Sequence, residues 1–164
     1  MGVGYRLKAI VAQITDRVRI DIGSDVGVTM NVFFYGLFMD EQLLASKGIA
    51  ARNAAVGYAD GFRLRIGERA TLQRCAGARA YGVMMEVSSD DLMELYAERS
   101  VADYEPESLT VELLDGRSAE ASCYNLPPDK VTGTNKSYAE ALLKLAKQLG
   151  FPESYLGQIR HAGS

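Results

Sequence analysis

Residues 31–40 read Asn31-Val32-Phe33-Phe34-Tyr35-Gly36-Leu37-Phe38-Met39-Asp40. An apolar run meets a Tyr-Gly, and the segment from Asp40 to Lys47 then turns amphipathic. This order predicts a buried strand that ends in a tight turn and opens a short helix. Gly36 is expected to take backbone angles denied to other residues and to let a ligand approach closely. The amides after it are expected to face outward at a helix start, where they can hold an anion or a polarised carbonyl oxygen. An ordinary strand–helix corner shows the same pattern, so the rest of the chain has to decide between the two.

Upstream, Val18, Ile20 and Ile22 alternate with Arg17, Arg19 and Asp21, a strand pattern that Gly23-Ser24-Asp25 breaks. The run Ala9-Ile10-Val11-Ala12 is too short for the core of a signal peptide, and no export cleavage site follows it. Met30 directly precedes the strongest strand. We therefore expect Met30 to be the natural first residue, residues 1–29 to be an extension, and residues 30–164 to form one domain.

Downstream, after residues 53–61, Phe62, Leu64 and Ile66 alternate with Arg63 and Arg65, a half-buried strand. Gly67-Glu68 turns it, residues 70–74 return, and Gly77 punctuates before a strand over residues 79–87. Ser88 and Asp91 stand at capping-box spacing, with Leu92, Leu95 and Tyr96 as the inward stripe of a helix. Residues 111–114 and 118–124 flank Asp115-Gly116, which predicts a hairpin with a primed turn. Ser137 and Glu140 make a second capping pair, ahead of Tyr138, Leu142, Leu145 and Leu149 on one helical face. Gly150 ends that helix and Pro152 opens a last one at its first position. Strands dominate the middle without regular alternation, so the class is α+β.

Composition removes several chemistries. The 164 residues carry a net charge of −3 with no block of like charge, so nucleic acid is not an expected partner. No stretch approaches the ~18 consecutive apolar residues of a membrane span. Cys75 and Cys123 lie too far apart for a metal or redox pair and are expected as buried free thiols in a reducing cytoplasm, with a disulfide not expected. The one histidine, His161, is three residues from the end of the chain. Ser-His-Asp, Cys-His and zinc chemistry therefore lack support. A proton shuttle here would be a carboxylate, a lysine or a tyrosine.

The order strand–Tyr35-Gly36–helix, then Tyr81-Gly82-Val83-Met84-Met85-Glu86-Val87, then a capped helix, resembles the gamma-glutamylcyclotransferase-like family. Ser137-Tyr138 and the stretch Leu149-Gly150-Phe151-Pro152-Glu153-Ser154-Tyr155-Leu156 resemble that family's C-terminal helix start and Gly-Leu-Pro-x-x-Tyr tail. The likeness runs over roughly residues 31–160. It implies a small mixed β-barrel or strongly curved sheet flanked by helices, with a cavity at one end lined by the Tyr-Gly loop. It also implies an acyltransferase-type cyclisation of glutathione metabolism: the α-amine of a γ-glutamyl compound attacks its own γ-carbonyl and releases 5-oxoproline. No cofactor or metal is implied, since the reaction is intramolecular. The implied ligand is a small γ-glutamyl or carboxylate-bearing molecule. A homodimer is an option the sequence leaves open.

By the resemblance, the acid/base is a glutamate in a Leu-Asp-x-x-Glu-Gly pattern at the end of the mid-chain helix, and the backbone after Tyr-Gly supplies the oxyanion donors. Aligned on Leu95, however, Tyr96 takes the aspartate slot, Arg99 the glutamate slot and Ser100 the glycine slot, with Glu98 one residue early. A one-residue slip rotates a helical side chain by about 100°. A regular helix through Arg99 would turn Arg99 inward and leave Glu98 on an acidic, solvated stripe with Asp91 and Glu94. An earlier helix end would free Glu98 for the cavity. An inward Arg99 could grip a carboxylate but could not act as a base. Two readings follow. In the first, Glu98 is the acid/base, the amides of Gly36, Leu37, Phe38 and Met39 are donors, and Tyr35, Tyr104 and Tyr138 line the substrate site. In the second, the same fold is a non-catalytic module with Arg99 holding an anionic ligand. Leu37-Phe38, where the family usually carries small or polar residues, would narrow the pocket or make it less polar.

Overall fold

The computed structural model describes residues 28–163; the strand expected at Val18 to Ile22 lies outside them. Within them, chain order runs β1 (Thr29–Phe34), α1 (Glu41–Ser46), β2 (Arg52–Ile66), β3 (Ala70–Ser88), α2 (Ser89–Leu95), β4 (Glu105–Leu113), β5 (Ser118–Asn125), α3 (Lys136–Gln148) and α4 (Glu153–Ala162). Short 3₁₀ turns interrupt the connections at Leu37–Met39, Arg99–Val101 and Pro128–Lys130. The α+β class read from the sequence is the observed one.

The strands stand in the order β1-β3-β2-β4-β5 and pair antiparallel, and β5 then meets β1 in parallel. That closing seam is a single register pair, Val32 opposite Ser122. The architecture is a strongly curved sheet drawn round into a ring by one narrow contact. Val32, Phe33 and Phe34 of β1, Val83, Met85 and Val87 of β3 and Val111 of β4 are buried, and because strand side chains alternate, Phe33 is covered on the face opposite to Val32 and Phe34. The alternation of Phe62, Leu64 and Ile66 is borne out, all three being buried.

β2 and β3 are longer than their hydrophobic alternation suggested. Residues 53–61 belong to β2, and the punctuation at Gly77 falls inside a continuous β3. The register shifts between Asp60, opposite Arg79, and Phe62, opposite Arg74. Gly61 (φ +88°) and Gly77 (φ +84°) sit in this bulge. Glycine here bends a strand instead of ending it, because a positive φ is absorbed without breaking the flanking pairs.

The β4–β5 connection also differs from the expected primed turn. Gly116 (φ +93°) is left-handed, but Asp115 is not among the residues with positive φ. The Gly116 amide donates to Leu113 O at 3.0 Å and the Leu113 amide to Arg117 O at 2.8 Å, a longer loop ending on a left-handed glycine. At α2 the capping reading holds, with Ser88 Oγ accepting from the Asp91 amide at 3.1 Å. At α3 it moves: Asn135 Oδ1, not Ser137, accepts from the Tyr138 amide at 3.0 Å. Ala139, Leu142 and Ala146 form the buried stripe of α3. Pro152 is the residue before the first turn of α4, one position earlier than expected.

A buried polar knot ties β3 to β5, which are not neighbours in the sheet. Asn125 Oδ1 accepts from the Leu72 amide (3.2 Å), Asn125 Nδ2 donates to Glu107 Oε1 (2.9 Å), and Thr71 Oγ1 accepts from the Leu126 amide (2.9 Å). Asn125→Leu would strand the Leu72 N–H, at a cost of about 1–3 kcal/mol. The expected fall in Tm is about 2–12 °C, read by circular dichroism; an unchanged Tm would show that the knot carries no stability.

Candidate functional site

β1 runs apolar into Tyr35-Gly36, and the chain there folds into the 3₁₀ turn Leu37–Met39 before Asp40 caps α1 through its side chain (Gln42 amide to Asp40 Oδ1, 2.9 Å). Against this corner lies a cavity of about 380 Å³. Phe33, Phe34 and Tyr35 form one wall, Gly36, Leu37 and Phe38 the next, and Leu43 and Lys47 come from the α1 side. The tip of the β2–β3 hairpin contributes Arg69 and Ala70. Tyr96 follows α2, Ser100, Val101 and Tyr104 follow it further, and Tyr138 enters from α3. Tyr96 is held flat against Tyr124, with ring centroids 4.0 Å apart and planes at 10°.

Gly36 is needed for a different reason than expected. Its φ is −112°, an angle open to any residue. A Cβ, however, would collide with Tyr138 Oη, while Tyr138 Cζ would lie 3.7 Å away. The glycine makes room for a hydroxyl, which is its role of permitting close approach. The backbone donors also differ from expectation. Met39 N donates to Gly36 O at 3.0 Å, so that amide is spent inside the turn, and the Met39 side chain is buried in the core instead of lining the cavity. Leu37 N points at Tyr138 Oη over 3.4 Å, so the hydroxyl stands where a ligand oxygen would stand.

A direct test of this fit is a mutant cycle. Gly36→Ala should cost about 1–3 kcal/mol as an overpacked site. Tyr138→Phe removes the colliding oxygen, so the double variant should recover most of that loss, giving a coupling within about 0.5–3 kcal/mol. Strictly additive losses in urea titrations would overturn the close-approach account.

The tyrosine hydroxyls are differently committed. Tyr35 Oη donates to Tyr124 O at 2.6 Å and Tyr104 Oη donates to Ala70 O. Their lone pairs remain for the cavity. Tyr138 Oη accepts from Leu37 and keeps its proton to donate. Burial pushes the phenols of Tyr35, Tyr96 and Tyr104 well above their ordinary value and that of Tyr138 up to about 12. All four are neutral at physiological pH, so none serves as a phenolate base.

Among the described residues, charge enters the cavity from cations: its lining holds Lys47 and Arg69 and no Asp or Glu. Each cation is paired with an acid just beyond. Lys47 Nζ is 2.9 Å from Glu98 Oε1, and Arg69 Nη2 is 3.2 Å from Asp103 Oδ2. Lys47 also borders an adjoining hollow of about 340 Å³ that Glu98 and Glu94 help to line.

The predicted residues therefore separate. Tyr35, Gly36, Leu37, Phe38, Tyr104 and Tyr138 are brought together around the cavity. Met39 is not, nor is Glu98, which lines the adjoining hollow instead, nor Arg99, which is exposed on the 3₁₀ turn after α2. The inward Arg99 required a helix regular through residue 99, but α2 ends at Leu95. Beyond it the amides of Ala97 and Glu98 bond three residues back, at 3.3 and 3.5 Å, and Glu98 is extended (φ −62°, ψ 141°). Glu94 and Glu98 also place negative charge at the helix C-terminus, which its dipole disfavours. Glu98 thus stays beside Glu94 in the adjoining hollow and meets the cavity's edge only through its ion pair with Lys47. Sequence reading missed Lys47 and Arg69. Lys47 stands four residues after Leu43, so the two share a face of α1; Arg69 carries no local signal, since only the β2–β3 pairing delivers it.

The fold is a gamma-glutamylcyclotransferase-like architecture. A solved structure titled gamma-glutamyl cyclotransferase superposes with a TM-score of 0.63 at 17% identity, over 81% of this chain and 87% of that one. An uncharacterised protein from Homo sapiens gives 0.65 at 18% identity, over 80% and 86%. A yeast gamma-glutamyl cyclotransferase specific to glutathione gives 0.56 at 13% identity, over 82% and 95%. Residues 79–159, just under half of the chain, match the AIG2-like family model. The fold implied by the resemblance read from Tyr35-Gly36 onward is thus the observed one, and the family-model match lies within the span of that resemblance. No curated protein sequence matches the chain. Among the described residues, no helix is long and apolar enough to cross a membrane, and no cluster of three or more His, Cys, Asp or Glu is placed to hold a metal ion.

Proposed function

We propose that this chain closes small γ-glutamyl compounds to 5-oxoproline, with Glu98 carrying the protons. The observation that supports this reading is the early end of α2, which puts the Glu98 carboxylate 2.9 Å from an ammonium at the cavity's edge. A γ-glutamyl head group carries both an ammonium and a carboxylate. Inserted into the Lys47–Glu98 pair, its ammonium would face Glu98 and its α-carboxylate would face Lys47. Exchange costs little, because the pair is partly exposed (29% and 38% for the side chains) and such pairs contribute about 0–1 kcal/mol.

Glu98 then removes a proton from the ammonium, and the freed amine attacks the γ-carbonyl carbon. A C–N bond forms and the carbonyl oxygen takes up negative charge, facing the proton of the Tyr138 hydroxyl that the Leu37 amide holds in place. The ring nitrogen gives up its second surplus proton to water, the carbonyl re-forms, and the original γ-amide C–N bond breaks as Glu98 returns its proton to the departing amine. No cofactor takes part, and a reducing cytoplasm suits the free thiols Cys75 and Cys123.

A second reading has its own support: among the described residues no carboxylate lines this cavity, which suits capture of an anionic molecule without turnover. Incubating the purified protein with γ-glutamyl dipeptides and assaying 5-oxoproline decides between them. Release of 5-oxoproline is the expected result. None, with a ligand-induced rise in Tm, leaves capture as the function.

A further inference from the structure

We infer that Arg69 recognises a second carboxylate, one carried by the departing amine, so that this site prefers γ-glutamyl derivatives of apolar or aromatic amino acids over those of simple amines. The inference rests on the reading above for the head group and adds the identity of the other half.

The cavity has one cation more than a γ-glutamyl head requires. Lys47 lies on the α1 side, next to Glu98, whereas Arg69 comes from the hairpin tip and Tyr104 borders it. The tip is anchored rather than loose: Gly67 N donates to Arg69 O (3.0 Å), Glu68 N to Thr132 O (2.7 Å) and Asn135 Nδ2 to Glu68 O (3.1 Å). A fixed backbone therefore delivers the guanidinium.

Arg69 is only partly engaged there. Nη1 donates to Ser100 O at 3.1 Å and Nη2 to Asp103 Oδ2 at 3.2 Å. A guanidinium has further N–H groups in the same plane, shaped for a carboxylate. The Asp103 side chain is 47% exposed, so this ion pair is weak competition for a ligand anion. A residue needed only to latch the hairpin tip would not have to border the cavity.

The same cavity has an aromatic wall. Phe34 and Phe38 meet edge to face at 6.1 Å, and Phe38 and Tyr96 at 6.2 Å. Burying a polar substituent against these rings costs free energy unless it finds a partner, while an aliphatic or aromatic side chain gains by burial. The chemistry that fits is an amino-acid head, an apolar side chain and a second carboxylate.

The test compares γ-glutamyl-phenylalanine with γ-glutamyl-phenethylamide, which keeps the ring and lacks the second carboxylate, on wild type and Arg69→Ala. Both 5-oxoproline release and ligand-induced thermal shift are read. On wild type the phenethylamide should show a KM roughly 10–100-fold higher, the worth of a charge-assisted contact. Arg69→Ala should raise KM for the phenylalanine compound by a similar factor and leave the phenethylamide unchanged. Equal KM values for the two compounds on wild type would overturn the inference while leaving cyclisation intact. Thermal shifts that need the second carboxylate, with no 5-oxoproline formed, would keep the inference and sink the cyclisation. No shift and no turnover with either compound would overturn it. If Arg69→Ala fails to fold, the wild-type comparison alone decides.

Discussion

Raising the pH above 10 should unfold this protein over a narrow range. Burial pushes the phenols of Tyr35, Tyr96, Tyr104, Tyr138 and Tyr155 above the value of about 10 that they return to in the unfolded chain. Between that value and the folded one, the native chain holds protons that the unfolded chain has released. Stability is then full below pH 10 and falls as pH rises. Each such phenol removes about 1.4 kcal/mol per pH unit. Five together approach ~7 kcal/mol per unit, against a total stability of about 5–15 kcal/mol for an ordinary domain. The buried Cys123 thiol, also pushed up by burial, adds its share from about pH 9. Far-ultraviolet circular dichroism and phenolate absorbance should change together in one transition. Phenolate appearing smoothly near pH 10 with the fold retained would show that these rings are solvated.

The tyrosines also mark where sequence reading succeeded and where it stopped. Tyr35 was legible from the glycine that ends its strand, and Tyr104 and Tyr138 through the family resemblance, which implies a tyrosine after the mid-chain helix and another at a later helix start. Phe62, Leu64 and Ile66 were legible because alternation with arginine leaves one face for burial. The length of β2 and β3 was not. Gly61 and Gly77 look like stops in one dimension, and only the partner strand shows that they sit in a bulge. The end of α2 was hidden for a related reason. Glu94, Tyr96 and Glu98 all tolerate a helix, and what accompanies its end is the stacking of Tyr96 on Tyr124, a residue 28 positions away in sequence. From that end follow the two placements that matter most for chemistry, the exposure of Arg99 and the contact of Glu98 with Lys47. Arg69 is the extreme case. It enters the site from a hairpin tip whose strands run 15 and 19 residues, and no nearby residue announces it.

Glu98→Gln should lower the rate of 5-oxoproline release by about 10²–10⁴-fold, the usual worth of a positioned acid/base. Glutamine keeps the length and the branching of the side chain but cannot take a proton from the substrate ammonium. The fold should notice little. The Lys47–Glu98 pair is partly exposed, so its loss is worth about 0–1 kcal/mol, or at most about 4 °C in Tm. Lys47→Met should behave differently. With Lys47 facing the α-carboxylate, its removal weakens ground state and transition state alike, which raises KM and leaves kcat largely unchanged. The two halves of one ion pair are thus expected to fail in different kinetic parameters. Turnover untouched in Glu98→Gln would move the base elsewhere, and a matched fall in kcat for both variants would mean that the pair acts only by holding the edge of the cavity in place.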